Sequence, residues 1–185
     1  MKLSIIIDAL KQRAPTFQGR IAGAASYAGL KDKTRLKTPS AYVIPLDDDD
    51  TGPNQTNTYR QTIADGFAVV VVLNNDDERG QKAYDNVDLI RSELWSALLA
   101  WQITDGEIYY DRLEYDGAKL LNMDRSRLDY QFEFHADMDI DQGMTYLGYQ
   151  LAQAPAFDSV HIELDHKDIP PDGDIDHTVD IPIQQ

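Results

Sequence analysis

The sequence predicts an α+β fold in which a mainly antiparallel sheet carries two helices on one face, followed by an extended C-terminal arm. Three observations carry this prediction. Helical apolar stripes occupy residues 2–13 and 79–101, and the run Phe67–Leu73 is apolar at every position. A short run without alternation is typical of a strand covered on both faces. The order helix, strand, hairpin, long helix, hairpin, strand then favours a sheet with both helices on one side.

The two helices are predicted from the 3.6-residue period of their apolar residues. The first is followed by Pro15, and its stripe consists of Leu3, Ile6, Ile7 and Leu10. The second would be about 34 Å long at 1.5 Å per residue. Its stripe consists of Ala83, Val87, Ile90, Leu94, Ala97 and Trp101.

Short extended segments and turns surround these helices. Gly19–Leu30 predicts a strand or a tight turn, and Ala41–Leu46 predicts a strand that ends near Pro45. Asp65-Gly66 and Asp116-Gly117 predict two-residue hairpin turns. A half-buried strand is predicted where Leu128, Tyr130, Phe132 and Phe134 alternate with Asp129, Gln131, Glu133 and His135.

The character of the chain changes after Ala136. Residues 1–136 are predicted to form the α+β domain, and residues 137–185 an acidic extension with extended segments at Val160–Leu164 and Ile175–Ile183. So short and polar a segment buries too little apolar surface to fold alone, so we expect an arm that packs on a neighbouring molecule. Deleting residues from 156 onward should leave a folded protein that associates less strongly with itself.

Charge is distributed unevenly along the chain, which has 17 basic and 32 acidic residues and a net charge of −15. Residues 1–40 contain eight basic residues against two acidic ones, whereas residues 137–185 contain Lys167 against eleven acidic ones. A strong negative field repels phosphate and argues against specific DNA binding. No apolar run approaches the roughly 20 residues that cross a bilayer, and the first residues lack a signal-peptide pattern. Synthesis and function in a cytoplasm are expected.

No group of residues indicates an enzyme. The absence of cysteine excludes thiolate chemistry and disulfides, and neither a phosphate-binding glycine loop nor a nucleophile elbow is present. His161, Asp165 and His166 would bind a metal only on a bent segment, because His166 points away from the other two on a strand. The acidic stretches 137–143 and 172–176 resemble incomplete calcium loops, and solvated turns are the simpler interpretation. We predict no catalytic residue, metal or cofactor.

Two charged loops are the candidate partner surfaces, and we expect each to meet a different partner. The basic loop contains Lys31, Lys33, Arg35 and Lys37. The acidic loop begins with Asp47, Asp48, Asp49 and Asp50.

Several short motifs follow one another in a recognisable order. They are Gly19–Ala25, Pro39–Pro45, Arg60–Thr62, Phe67–Val71, Ser96–Trp101, Tyr115–Leu120 and Tyr130–Phe134. In their order and spacing, over about residues 1–136, the chain resembles the tail terminator (tail completion) proteins of lambda-type long-tailed phages. A looser similarity extends to residues 160–171 and 178–182. Relatives in that family often have a glycine at the position of Ala100.

This resemblance implies a structural virion protein at the head-proximal end of the tail. Its copies would form a hexameric ring that binds the last ring of tail-tube protein, ends tube polymerisation, and offers a joining surface to head-side neck or connector proteins. DNA would pass an acidic lumen without specific binding. Two alternatives stay open: another neck or tail-tube subunit, and an acidic inhibitor that mimics DNA. A ring-forming protein should be oligomeric by light scattering, whereas a mimic should be a monomer or dimer.

Overall fold

The computed structural model describes residues 1–29, 37–50, 59–75, 81–106, 108–124, 126–154, 159–164 and 177–182. The chain divides into two compact units, Met1–Gln142 and Gly143–Gln185. The first contains helices α1 (Leu3–Arg13), α2 (Ala24–Ala28) and α3 (Gln81–Leu98). Its strands are β1 (Ile21–Gly23), β2 (Ser40–Pro45), β3 (Asp49–Asp50), β4 (Arg60–Asn74), β5 (Gln102–Asp105), β6 (Ile108–Arg112), β7 (Glu114–Met123) and β8 (Arg127–Asp141).

The main sheet of the first unit has the strand order β1-β2-β4-β8-β7, with β3 also pairing to β4. Strands β4 and β8 are antiparallel over 15 residue pairs, from Arg60–Asp141 to Asn74–Arg127. Only the short pair β1 and β2 is parallel within the described part of this sheet. The predicted α+β class with a mainly antiparallel sheet is therefore confirmed.

Helices α1 and α3 pack on one face of this sheet. Ile6 and Leu10 of α1 share a buried cluster with alternate residues of β4 and β8 and with four residues of the α3 stripe, Val87, Ile90, Leu94 and Ala97. In that cluster the rings of Phe67 and Phe134 stack with centroids 5.6 Å apart. The guanidinium of Arg13 lies 4.2 Å from the centre of the Trp101 ring and donates to the Ala97 carbonyl, which ties the ends of the two helices together.

The opposite face of the sheet has a smaller apolar cover. Val70 and Val72 of β4 are buried there with Tyr42 of β2, and Tyr27 of α2 packs on them with its ring 5.6 Å from that of Tyr42. The run Phe67–Leu73 is therefore covered on both sides, as its unbroken apolar sequence predicts.

The hairpin turn predicted at Asp65-Gly66 is wrong, because β4 runs straight through it. Asp65 pairs across the sheet with Ala136 and forms an ion pair with the amino group of Met1. Gly66 has no positive φ, which a type I′ turn would require, and a Cβ there would lie 3.4 Å from the Cβ of Leu46. A 15-residue partner strand and a charged anchor outweigh the local turn preference.

The turn predicted at Asp116-Gly117 is also wrong. Strand β7 continues through it with a bulge between Tyr115 and Gly117, where Gly117 adopts a φ of 132°. Such a backbone is one that glycine adopts readily, so the Asp-Gly signal marks a bulge rather than a turn. The hairpin in this region joins β5 to β6 instead, at Gly106 with a φ of 66°.

Three smaller predictions need correction. Within the predicted segment Gly19–Leu30, the described residues 19–29 contain a three-residue strand followed by the short helix α2, rather than a strand or turn alone. The long helix ends at Leu98, before Trp101, since Ala100 has a left-handed φ of 59°. Strand β8 is more than half-buried, because Asp129 and Gln131 on its polar face are also buried.

The second unit contains helix α4 (Tyr146–Gln153) and the antiparallel hairpin β9 (Ser159–Leu164) and β10 (His177–Pro182). Strand β10 lies within the predicted extended segment Ile175–Ile183, and β9 covers the other predicted segment, Val160–Leu164, and begins one residue earlier. Strand β8 reaches Asp141, so the first unit ends at Gln142, a few residues beyond the change in composition after Ala136. No helix in the described part of the chain is long and apolar enough to span a bilayer.

Candidate assembly surfaces

The two predicted charged loops leave strand β2 at opposite ends. Lys37 is exposed three residues before the strand, and Asp47 is exposed two residues after it. A six-residue strand separates its ends by about 20 Å. Lys31, Lys33 and Arg35 lie outside the described residues. The structure therefore places Lys37 and the acidic loop apart rather than together.

The acidic loop lies beside a buried tyrosine. Asp49 and Asp50 pair with Ala64 and Ile63 of β4, and all four aspartates of the loop are exposed. Burial of Tyr110, together with the nearby charges of Asp65, Asp105 and Asp48, raises its pKa to about 12. The Tyr110 hydroxyl also bonds to Asp65, the residue that pairs with the Met1 amino group. The carboxylates of Asp48, Asp65 and Asp105 thus concentrate negative charge around Tyr110.

A stripe of polar residues follows the outer face of β8, opposite the face that carries α1 and α3. Strand alternation places Asp129, Gln131, Glu133, His135, Asp137, Asp139 and Asp141 on it. Cations from neighbouring strands pair with part of the stripe. Lys119 lies 2.6 Å from Glu133, and Arg60 donates to Asp139 at 3.1 Å. These bonds hold the pKa of both carboxyl groups below the ordinary value.

The most deeply buried charge of this stripe is Asp129, whose residue is 2% exposed. The Nε of Arg127 donates to one carboxylate oxygen of Asp129 at 2.5 Å and a terminal nitrogen to the other, a bidentate pair. The hydrogen bond to Asp129 raises the pKa of Arg127. A buried carboxylate needs such a partner, so this pair fixes the beginning of β8 under α2.

The edge of the main sheet at β7 is lined by exposed apolar side chains. Strand β7 pairs with β8 on one side and, among the described residues, with no strand on the other. Leu120, Leu121 and Met123 are 46%, 40% and 45% exposed. An exposed edge that also carries apolar side chains is the usual template for pairing with another strand. We name Leu120, Leu121 and Met123 the β7 surface.

The second unit carries apolar side chains and no buried residue among those whose burial is described. Tyr146, Leu147, Tyr149 and Leu151 of α4 are all exposed, and the rings of Tyr146 and Tyr149 stack on each other. Ile162 of β9 faces Val179 of β10, and Ile181 lies two residues further along the same face. All three are exposed. The hairpin is therefore amphipathic, and we name these three residues the hairpin face.

Nothing in the described residues assembles an active site. They contain no group of three or more acidic, histidine or cysteine side chains that could hold a metal ion. His135 lies on the polar face of β8 as predicted, with its Nδ1 2.7 Å from Asp116. His161 is on β9, while Asp165, His166 and residues 172–176 lie outside the described residues.

Comparison with known proteins identifies the family. Residues 1–145 match the family described as phage tail terminator protein, and the chain belongs to it. A structural role in the phage tail, and so a place in the virion, follows from membership. A solved structure described as the virion of a native gene transfer agent particle contains a similar chain, with 12% identity and a TM-score of 0.43, covering 73% of this chain and 95% of that one. No curated protein matches.

The apolar surfaces were not identified in the sequence. Leu120, Leu121 and Met123 read as ordinary residues of a hairpin strand, because the sequence does not reveal that β7 lies at an edge. The buried pair of Arg127 and Asp129 was also missed, since alternation placed Asp129 on a solvated face. Two apolar residues in succession, Leu120 and Leu121, were a signal that the β7 strand departs from strict alternation.

Proposed function

We propose that copies of this chain close into a hexameric ring that caps the head-proximal end of the tail tube, stops tube polymerisation and offers a joining surface to the head-side neck proteins. The observation that carries this proposal is the family match over residues 1–145, which includes the whole first unit. A closed ring needs two different complementary surfaces on every copy. The open edge at β7 provides one surface of the required kind.

The two charged loops are proposed to meet different partners. Lys37 and Asp47 lie beyond opposite ends of β2, and this separation supports the assignment. We assign the basic loop, Lys31, Lys33, Arg35 and Lys37, to the tail tube. The acidic loop, Asp47–Asp50, is assigned to the neck side.

The acidic stripe of β8 suits a surface that DNA passes. A protein binds DNA largely by replacing counterions with Lys and Arg, and here the cations near the stripe already pair with Glu133, Asp129 and Asp139. We therefore expect no measurable binding of the purified chain to duplex DNA at physiological salt. Binding that weakens steeply with added salt would contradict this expectation.

The test of the proposed function is a capping assay. Purified chain is added to polymerising tail-tube subunits, and tube lengths and ends are measured by electron microscopy. We expect shorter tubes than without the chain, with a ring at one end of the capped tubes. Tubes that grow as they do without the chain, with bare ends, would refute the proposal.

A loop variant separates ring formation from tube binding. Charge reversal of Lys31, Lys33 and Arg35 to glutamate should lower capping while the free ring stays intact. Replacing Asp47–Asp50 with asparagine is the matched control, because it alters the other loop and should leave capping unchanged. Unaltered tube length with the charge-reversed variant would refute the assignment of the basic loop.

A further inference from the structure

We propose that the hairpin face of one copy docks on the β7 surface of a second copy. The inference rests on the proposed ring and names the contact that closes it. The second unit begins at Gly143, and its hairpin lies beyond residues 1–145, which match the family. The contact therefore involves a part of the chain that the family match does not cover.

The hairpin face is the donor of this contact, and the hairpin that carries it is not stable by itself. A two-stranded hairpin is at best marginally stable in water, and an eight-residue helix is too short to be stable alone. Ile162, Val179 and Ile181 form one apolar face, whereas the opposite face carries the cross-strand pair His161 and Asp180. A ribbon with one apolar and one polar face is stabilised when another apolar surface covers the first.

The β7 surface is the acceptor of this contact, and its shape and chemistry match those of the hairpin face. Leu120 and Met123 lie opposite Tyr130 and Leu128 of β8, so their side chains share the face of the sheet that holds the main core. A strand added at the β7 edge with its apolar residues on that same face would extend the sheet and the core together. Strands β9 and β10 have six residues each, enough to follow Lys119–Met123.

A second copy is the occupant because every copy carries both a donor and an acceptor, which makes a heterologous contact that can close into a ring. Covering six half-exposed apolar side chains removes on the order of 500 Å² of apolar surface, too little for a stable isolated dimer. The assembly is then stable because it closes into a ring, in which each copy makes the contact twice, once as donor and once as acceptor.

The test uses two polar variants that each destroy one half of the contact. The acceptor variant is Leu120→Gln with Met123→Gln, and the donor variant is Ile162→Gln with Ile181→Gln. All four side chains are exposed, so each variant should fold with the circular dichroism of the unaltered chain. Leu89→Gln is the matched control, because Leu89 is 71% exposed on α3 and belongs to neither surface.

Sedimentation of the full chain gives the readout. The unaltered chain and Leu89→Gln should self-associate as concentration rises, and each double variant should associate at least tenfold more weakly. At the highest concentrations, an equimolar mixture of the two double variants should form a weak one-to-one dimer that does not grow further, since it retains one intact donor and one intact acceptor but cannot close a ring. Added salt should strengthen association, because copies of charge −15 repel one another. Double variants that associate like the control, or a mixture that stays monomeric, would overturn the proposal.

A cross-link identifies the contact directly, because the chain has no cysteine of its own. A chain with Leu121→Cys is mixed with a chain with Ile181→Cys. The mixture is oxidised without tubes and, in a second experiment, after it has capped tubes. We expect a covalent dimer of the two, and none when Leu89→Cys replaces Leu121→Cys. Capped tubes without this cross-link would reject the docking contact and leave the proposed function standing. Failure of capping by the unaltered chain would reject the proposed function itself.

Discussion

Removing the guanidinium of Arg127 should destabilise the first unit far more than removing an exposed one. Asp129 is 2% exposed, so Arg127→Met leaves a buried carboxylate without its bidentate partner. Breaking a buried ion pair in this way costs about 3–5 kcal/mol. The Arg127 side chain keeps 24% of its exposure, so water can replace part of the lost contact, and the lower end, about 3 kcal/mol, is expected. For a chain of this size that corresponds to a fall in Tm of roughly 6–12 °C.

Chemical denaturation followed by tryptophan fluorescence measures this change, because Trp95 and Trp101 both belong to the first unit. Arg60→Met is the matched control. It removes a guanidinium that also pairs with an aspartate of β8, but both side chains are substantially exposed. Since exposed pairs contribute little, the control should leave the unfolding midpoint almost unchanged.

A double variant shows whether the loss of stability comes from the buried carboxylate of Asp129 that Arg127→Met leaves without its partner. Arg127→Met with Asp129→Leu replaces the pair by apolar side chains of similar size and should recover most of the lost stability. If Arg127→Met unfolds at the same denaturant concentration as Arg60→Met, the buried pair does not hold β8 in place and the reasoning fails. The same conclusion follows if the double variant is as unstable as Arg127→Met.

Four further predictions concern the backbone and titration. Ala100→Gly should raise stability by about 1 kcal/mol in denaturation, because φ is 59° there; a loss would contradict it. Gly117→Ala, at a φ of 132°, should cost about 1–3 kcal/mol, whereas Gly29→Ala, also in open space, should not; equal effects would refute the strain. In alkaline absorbance titration one tyrosine should ionise near pH 12, with stability falling from pH 10 to 12, and Tyr110→Phe should abolish that step. Below pH 4 stability should fall as Glu133 and Asp139 take up protons, and thermal melts of Lys119→Met should show a shallower fall.

Several features could be predicted from the sequence because they depend on local periodicity. The stripe of α1, the stripe of α3 and the unbroken run Phe67–Leu73 each identify an element and its buried side without any knowledge of its neighbours. The family resemblance was readable for the same reason, since it rests on the order of short motifs along the chain.

Features that depend on distant partners could not be predicted in this way. The Asp-Gly pairs at 65–66 and 116–117 have the local preference of turns, but pairing with β8 outweighs it, along 15 residues of β4 for the first pair and along the bulged strand β7 for the second. Whether Asp129 is solvated or buried depends on α2, which lies a hundred residues earlier.

The sequence by itself determined the class of the fold, the helices of the core, the central strand and the acidic character of the second unit. The tertiary structure decided which strand lies at the edge of the sheet, and with it which apolar side chains stay exposed for assembly. The physical reason is that periodicity reports which side of an element is apolar. Whether a strand lies at an edge depends instead on how all the strands of the sheet pair with one another.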